Sequence, residues 1–244
     1  TGTVDLDGRL MRSDAVPQWE GFALGHELSQ RLHLPVRIEN DVNASAFGEF
    51  ALRCGDGSLQ PTDDLLLIAL SRAIVTGLVM GGELHRGNRQ NAGEVGLRII
   101  DESGPASGNL ARAAESIGTV SAVLDPACIV LSLPNRESPG ILAEIIDHLR
   151  VNRESSAAEL NLQVSRLGQG AAIVGALSLA LQEARTALFG ESTRLIPIPK
   201  EIGHITRITA RGIHSPMSMA QPAASERATL RIGVVGVGAR ADIA

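Results

Sequence analysis

Across residues 19–32 the apolar side chains fall at Phe22, Leu24, Leu28 and Leu32. The three-residue step from Trp19 to Phe22 and the four-residue steps from Leu24 to Leu32 mark one face of a helix. Pro35 ends it, Val36 and Ile38 then alternate with charged neighbours as a short strand would, and residues 42–50 are mostly alanine and other types a helix tolerates. Residues 54–61, with Gly55, Gly57 and Ser58, form a polar loop and the best boundary in the first half. Beyond it, residues 65–70 and 75–80 read as two strands, Gly81-Gly82 as a hairpin turn of the primed type, and Glu83-Leu84 as the restart of the chain. Helical spacing returns over 110–123, and Asp125-Pro126 leads into a short buried-type strand at 128–131. A helix over 141–149 and the Ala- and Leu-rich run 171–188, closed by Gly190, complete the pattern. Helices exchanging with strands predict a layered α/β architecture. From 191 to 225, Pro197, Pro199, Pro216 and Pro222 lie among polar residues with no sustained period, which predicts an extended, mostly disordered segment.

Composition narrows the function classes. At 244 residues the chain can hold one or two domains with a true core, and 44% hydrophobic with 20% charged residues is a globular balance. The formal net charge of -5 gives no basic footprint, so no direct nucleic-acid binding is expected. No apolar run approaches the roughly 20 residues of a membrane span, residues 65–70 being the longest candidate, so a soluble protein without a membrane partner is expected. Cys54 and Cys128 lack paired spacing, which argues against disulfides and a thiolate metal site and fits a reducing cytoplasm. With Trp19, four Phe and no Tyr, the core must be built from Leu, Ile, Val and Ala. The six histidines show no ligand spacing, and no metal residue is nominated.

Candidate chemistry sits in two places. Asn40 and Asp41 fall where the predicted strand turns into the helix, the end of a strand at which open α/β folds place ligands. They could grip vicinal hydroxyls, which points to a sugar, and they could equally be an ordinary helix cap. The second place is Asn91-Ala92-Gly93-Glu94-Val95-Gly96, where two glycines let the backbone approach a ligand and Glu94 offers a two-oxygen acceptor. Alone, Glu94 reads as a solvated turn residue; with Asn40 and Asp41 it completes a clamp. In a phosphotransfer reading Asp41 would take the proton of the attacking hydroxyl, a role that typically contributes ~10²- to 10⁴-fold.

At these residues the chain resembles the ROK family of bacterial sugar kinases and sugar-responsive transcriptional repressors. The likeness rests on Gly2-Thr3-Val4-Asp5, on Glu39-Asn40-Asp41-Val42-Asn43-Ala44, and on Gly82-Glu83-Leu84-His85-Arg86-Gly87 leading to Ala92-Gly93-Glu94-Val95-Gly96. It resumes at Leu124-Asp125-Pro126 with Ile129-Val130-Leu131 and at Gly170-Ala171-Ala172 with Gly175-Ala176, covering about residues 1–190. The resemblance implies an actin-like ATPase (ribonuclease H-like) α/β fold. A partial first, sugar-binding lobe is expected over 1–60, a second lobe over 61–190, and a tail over 191–244. It also implies that Asn40, Asp41 and Glu94 contact the sugar, with Asp41 matching the family's catalytic base.

The departures from that pattern shape the functional expectation. Leu70-Ser71-Arg72-Ala73-Ile74-Val75 stands where the family has a glycine-rich phosphate loop, so side chains replace bare backbone amides that would cradle phosphates. Leu97 stands where a histidine joins a zinc-binding cysteine cluster, and residues 101–109 contain no cysteine, so the structural zinc is expected to be lost. The stretch near Gly108 and Leu110 is shortened, and Ser132 and Leu133 replace glycines near the adenosine. The family's opening phosphate loop, and the repressors' winged helix-turn-helix, would lie before Thr1, so an N-terminally truncated segment is expected. These features favour a catalytically degenerate sugar sensor of the repressor branch, taking a sugar or sugar phosphate, with a homodimer possible and no cofactor. The alternative is a glucokinase-like enzyme using ATP and magnesium. Finally, Arg231-Ile232-Gly233-Val234-Val235-Gly236-Val237-Gly238 resembles the opening strand and glycine turn of glucose-fructose oxidoreductase and inositol dehydrogenase Rossmann domains. Without its helix it cannot hold a dinucleotide. Met217 or Met219 could start such a protein, so the tail is expected to derive from a neighbouring reading frame.

Overall fold

The computed structural model describes residues 2–13, 16–70, 73–95, 97–98, 107–132, 139–151 and 161–190. Its centre is β3 (Leu65–Leu70), whose sequence Leu-Leu-Leu-Ile-Ala-Leu is apolar on both faces because both faces are covered. On one side β3 pairs antiparallel with β4 (Ala73–Met80); on the other it pairs parallel with β7 (Cys128–Ser132), in register Leu65 with Cys128. The sheet extends outward through β5 (Glu83–His85) beyond β4 and β8 (Leu162–Val164) beyond β7, and the short β6 (Leu97–Arg98) joins the start of β4. The β4–β5 connection is the two-residue hairpin predicted from sequence, with Gly81 and Gly82 both at positive φ as a primed turn demands.

One face of the sheet carries α2 (Asp41–Gly55) and α5 (Ala171–Phe189). There Val42, Phe47 and Phe50 of α2 and Leu179 of α5 pack on Leu65, Leu67, Val79 and Val130. The opposite face carries α3 (Ser107–Leu124) and α4 (Pro139–Val151), whose Ala114, Ile117, Ile145 and Leu149 cover Leu66, Ile68, Ile129 and Leu131. The result is a helix–sheet–helix sandwich, as the alternating pattern predicts. The two helices of the first face cross at Gly48 and Gly175: a Cβ on Gly48 would lie 2.6 Å from the Ala171 carbonyl oxygen, and one on Gly175 would collide with the carbonyl of Ala44.

With its preceding 3₁₀ turn, α5 runs from Gly168 to Phe189 and is long and apolar enough to cross a membrane by length and composition. The sequence expectation concerned uninterrupted apolar runs, and this helix is interrupted by Gln182, Glu183, Arg185 and Thr186. Ala171, Val174, Gly175, Ser178 and Leu179 of this helix are nevertheless buried within the fold.

The first residues form a small separate sheet, β1 (Gly2–Val4) antiparallel to β2 (Leu10–Ser13), followed by a 3₁₀ turn at Pro17–Trp19 and α1 (Leu24–Leu32). Two expectations are corrected in this region. The helix predicted over 19–32 is shorter, and Phe22 and Leu32, counted on its apolar face, are exposed while Leu24 and Gly25 are buried. Residues 36–38 are not a strand; Glu39 alone makes an isolated bridge. Alternation reports which side chains are buried, and Ile38 is, but a strand also needs a backbone ladder. Across the boundary expected at residue 60, α2 shares a core with the strands after it. Residues 191–244, with the Rossmann-like glycine run, lie outside the described residues.

Candidate sugar site

Asn40 is the N-cap of α2. Its Oδ1 accepts from the backbone N–H groups of Val42 and Asn43 at 2.9 and 3.2 Å, and its Nδ2 donates to the carbonyl of Gly2 at 2.8 Å. The capping reading of this residue is therefore real, and the cap ties α2 to the first strand of the small sheet. One amide hydrogen of Asn40 remains for a ligand, since the side chain carries two.

Asp41 begins the helix. Its carboxylate accepts the Val42 N–H at 3.1 Å, and its carbonyl accepts the Ser45 hydroxyl at 2.7 Å. Burial pushes its pKa above the ordinary 3.8, against the opposing effect of the Val42 N–H. An acid with raised proton affinity at a helix N-terminus can accept hydroxyl hydrogens strongly and can take up a proton.

Glu94 sits in the exposed turn after β5. Its N–H donates to the Asn91 carbonyl at 3.3 Å. The turn is anchored one residue earlier: the Gly93 carbonyl accepts both the backbone N–H of Thr76 at 2.9 Å and its hydroxyl at 3.2 Å. Gly93 has φ of 90°, and a Cβ there would run into the carbonyl oxygen of Thr76, so only glycine lets the loop lie on β4 at this point. The next residue of β4, Gly77, packs on the first turn of α2, where a Cβ would lie 2.7 Å from the Val42 carbonyl. Two neighbouring residues of β4 thus meet the two segments that carry the candidate residues: Gly77 abuts Val42 and Ala46 of α2, and Thr76 holds the Gly93 carbonyl of the Glu94 loop.

Sequence reading missed Glu39 and Arg86. The Glu39 carboxylate accepts from Arg86 Nε at 2.7 Å and lies 2.6 Å from its Nη2, joining the residue before Asn40 to the residue that follows β5 on the way to the Glu94 loop. Only the adjacency of Glu39 to the Asn-Asp pair hints at this, because its partner is 47 positions away. A recess of about 430 Å³ lies beside this pair, lined by Arg37, Phe47, Leu84, Arg86, Leu179 and Gln182; Asn40, Asp41 and Glu94 do not line it. Among the described residues no group of three or more His, Cys, Asp or Glu is arranged to hold a metal ion. Of the expected departures, Ser71, Arg72, Leu133 and residues 101–106 lie outside the described residues, and Leu97 is in β6.

Residues 1–109 match the model of the ROK family. Over 104 residues the chain is 29% identical to the xylose repressor of Bacillus subtilis, an alignment spanning 43% of this chain and 26% of the repressor. It is 32% identical over 104 residues to a glucokinase of Halalkalibacterium halodurans, spanning 42% of this chain and 30% of the enzyme. The aligned stretch is thus about a third or less of either relative. In three dimensions the chain superimposes on a ROK family glucokinase from Streptomyces griseus, solved with glucose and AMPPNP, with a TM-score of 0.55 and 22% identity over 73% of this chain and 78% of that one. Repressors and kinases match alike. The described residues have the actin-like ATPase fold seen in ROK proteins, and residues 1–109 are similar to the ROK family.

Proposed function

We propose that this chain is a sugar-recognising domain of the ROK regulator kind, in which Asn40, Asp41 and Glu94 hold hydroxyls of a sugar or sugar phosphate. The observation that carries the reading is the partly buried Asp41 carboxylate at the start of α2, with raised proton affinity, next to the Asn40 cap, while the neighbouring strand β4 holds the Glu94 loop at Thr76 and packs on α2 at Gly77. A regulator needs no chemistry at this site. Sugar binding has only to favour one arrangement of the protein over another to change what the whole molecule does. The sequence at Ser71-Arg72-Ala73, bulky where phosphate-binding glycines are expected, supports sensing over phosphotransfer, as does Leu97 in place of histidine. The xylose repressor relative is in keeping with this role.

Titration calorimetry with a panel of hexoses, pentoses and N-acetyl hexosamines tests it. Binding heat is expected with at least one sugar, and Glu94→Ala should weaken it by the ~1.5–3 kcal/mol of a hydrogen bond to a charged group, tenfold or more in Kd. No heat with any sugar would end the proposal. The second reading, an ATP-dependent sugar kinase, draws on the same raised proton affinity, which suits a general base. Sustained ATP- and magnesium-dependent sugar phosphorylation by the purified chain, abolished in Asp41→Asn, would establish it in place of the first.

A further inference from the structure

Glu39 spends its two carboxylate oxygens on two different parts of the molecule. Oε1 accepts the backbone N–H of Asn40 and the side-chain amide of Asn43 on α2, both at 3.2 Å. Oε2 faces the guanidinium of Arg86, taking Nε at 2.7 Å with Nη2 at 2.6 Å, and Arg37 Nη2 stands 3.9 Å away. The Glu39 and Arg86 side chains are only 10% and 20% exposed, so solvent screens the pair weakly. Arg86 is itself fixed at both ends. Its Nη1 donates to the Leu84 carbonyl at 3.3 Å, and its own carbonyl accepts the Ala92 N–H at 3.0 Å, the step before Gly93 and Glu94.

We infer that the Glu39–Arg86 pair is the clamp that sets the Glu94 loop against the Asn40-Asp41 end of α2, which makes both residues positioning residues for ligand recognition rather than ligand contacts. The inference rests on the proposed site. A single carboxylate holds the helix start with one oxygen and the loop with the other, so displacement of either half strains the other. The Thr76–Gly93 contact fixes the loop to β4, but it leaves the 86–92 segment to be held by Arg86. Lysine cannot reproduce the arrangement in full, because an ammonium offers a point charge where Nε and Nη2 approach Oε2 together.

The test uses the full chain with Glu39→Gln, Arg86→Met, Arg86→Lys and the double variant Glu39→Gln/Arg86→Met. Two readouts are taken: Kd for whichever sugar gives heat in the calorimetric panel, and amide hydrogen exchange in the free protein. The clamp predicts that the Ala92 and Thr76 amides lose protection in Glu39→Gln and Arg86→Met while the amides of Leu66 and Leu67 in β3 keep theirs. Sugar affinity should fall about tenfold in each, with partial recovery in Arg86→Lys and little further loss in the double variant. Unchanged Ala92 and Thr76 protection in the single variants overturns it. So does a uniform loss that includes β3, which would make the pair merely part of global stability. If the wild type binds no sugar, the proposed function falls and exchange alone decides the clamp. If Glu94→Ala loses binding while Glu39→Gln and Arg86→Met retain wild-type affinity, the sugar site stands and the clamp falls.

Discussion

Asp41 is held where ionising it works against the fold. Its folded-state pKa lies above the ordinary 3.8 because burial disfavours the charge. The penalty is therefore absent at pH well below 3.8, where folded and unfolded chains both carry the proton, grows as pH rises through 3.8 towards the folded value, and is complete above it. Asp41→Asn should accordingly melt at a higher temperature than the wild type at neutral pH, and the gap should close as pH falls below that range; melting curves across the acid range check this. A residue kept at a cost to stability is what a binding site predicts. Cys54 is a quieter case. Burial, reinforced by Asp63 and Asp56, pushes its thiol up to about 11, so at neutral pH iodoacetamide should leave it unlabelled in the native protein and label it readily in denaturant. The candidate residues Asn40, Asp41 and Glu94 could be nominated from sequence because each lies in a compact local run, polar around Asn40-Asp41 and glycine-flanked around Glu94. Glu39 and Arg86 could not, since an ion pair between positions 47 apart leaves no spacing to read.

At the scale of elements, α2 is the piece on which the rest depends. Besides its capped N-terminus it carries a fully buried ion pair, Glu49 with Arg53, one turn apart. Glu49 Oε1 accepts the Ser165 hydroxyl at 2.6 Å and the Leu167 N–H at 2.9 Å, while Arg53 Nε donates to Gln163 Oε1 at 3.3 Å. The helix is thereby tied by charge-assisted hydrogen bonds to β8 and to the turn that opens α5. Arg53→Met strands the Glu49 carboxylate in the interior, and urea denaturation should show a loss of about 3–5 kcal/mol. At the crossing of α2 and α5, Gly175→Ala would place a methyl on the Ala44 carbonyl and force the helices apart, for a loss of about 1–3 kcal/mol or more by the same measurement. The strands 65–70 and 128–131 and the helix 171–188 were legible because burial on both faces, or a long uninterrupted helical composition, leaves a strong local imprint. Residues 36–38 misled because an alternating pattern cannot say whether a partner strand is present.

For the whole molecule, apolar packing continues across the polar loop 54–61. Val42, Phe47 and Phe50 lie in one cluster with Leu65, Leu67 and Cys128, whereas Met11, Trp19 and Phe22 of the first segment are exposed. Native-state hydrogen exchange should therefore place the α2 amides in the same slow class as those of β3 and β7, with β1, β2 and α1 opening more readily. α2 exchanging alongside α1 would instead support the division expected at residue 60. The α/β layering was legible in the succession of helical and strand patterns; the assignment of α2 to the sheet that follows it depends on close helix contacts that no periodicity records. The buried carboxylate of Glu49 adds a consequence for synthesis. Its hydroxyl partner lies 116 residues downstream, so on a translating ribosome on the order of ten seconds pass before Ser165 is made. Through that interval the nascent helix must keep its acid hydrated, and α2 can settle against its downstream partners only after most of the described chain has emerged.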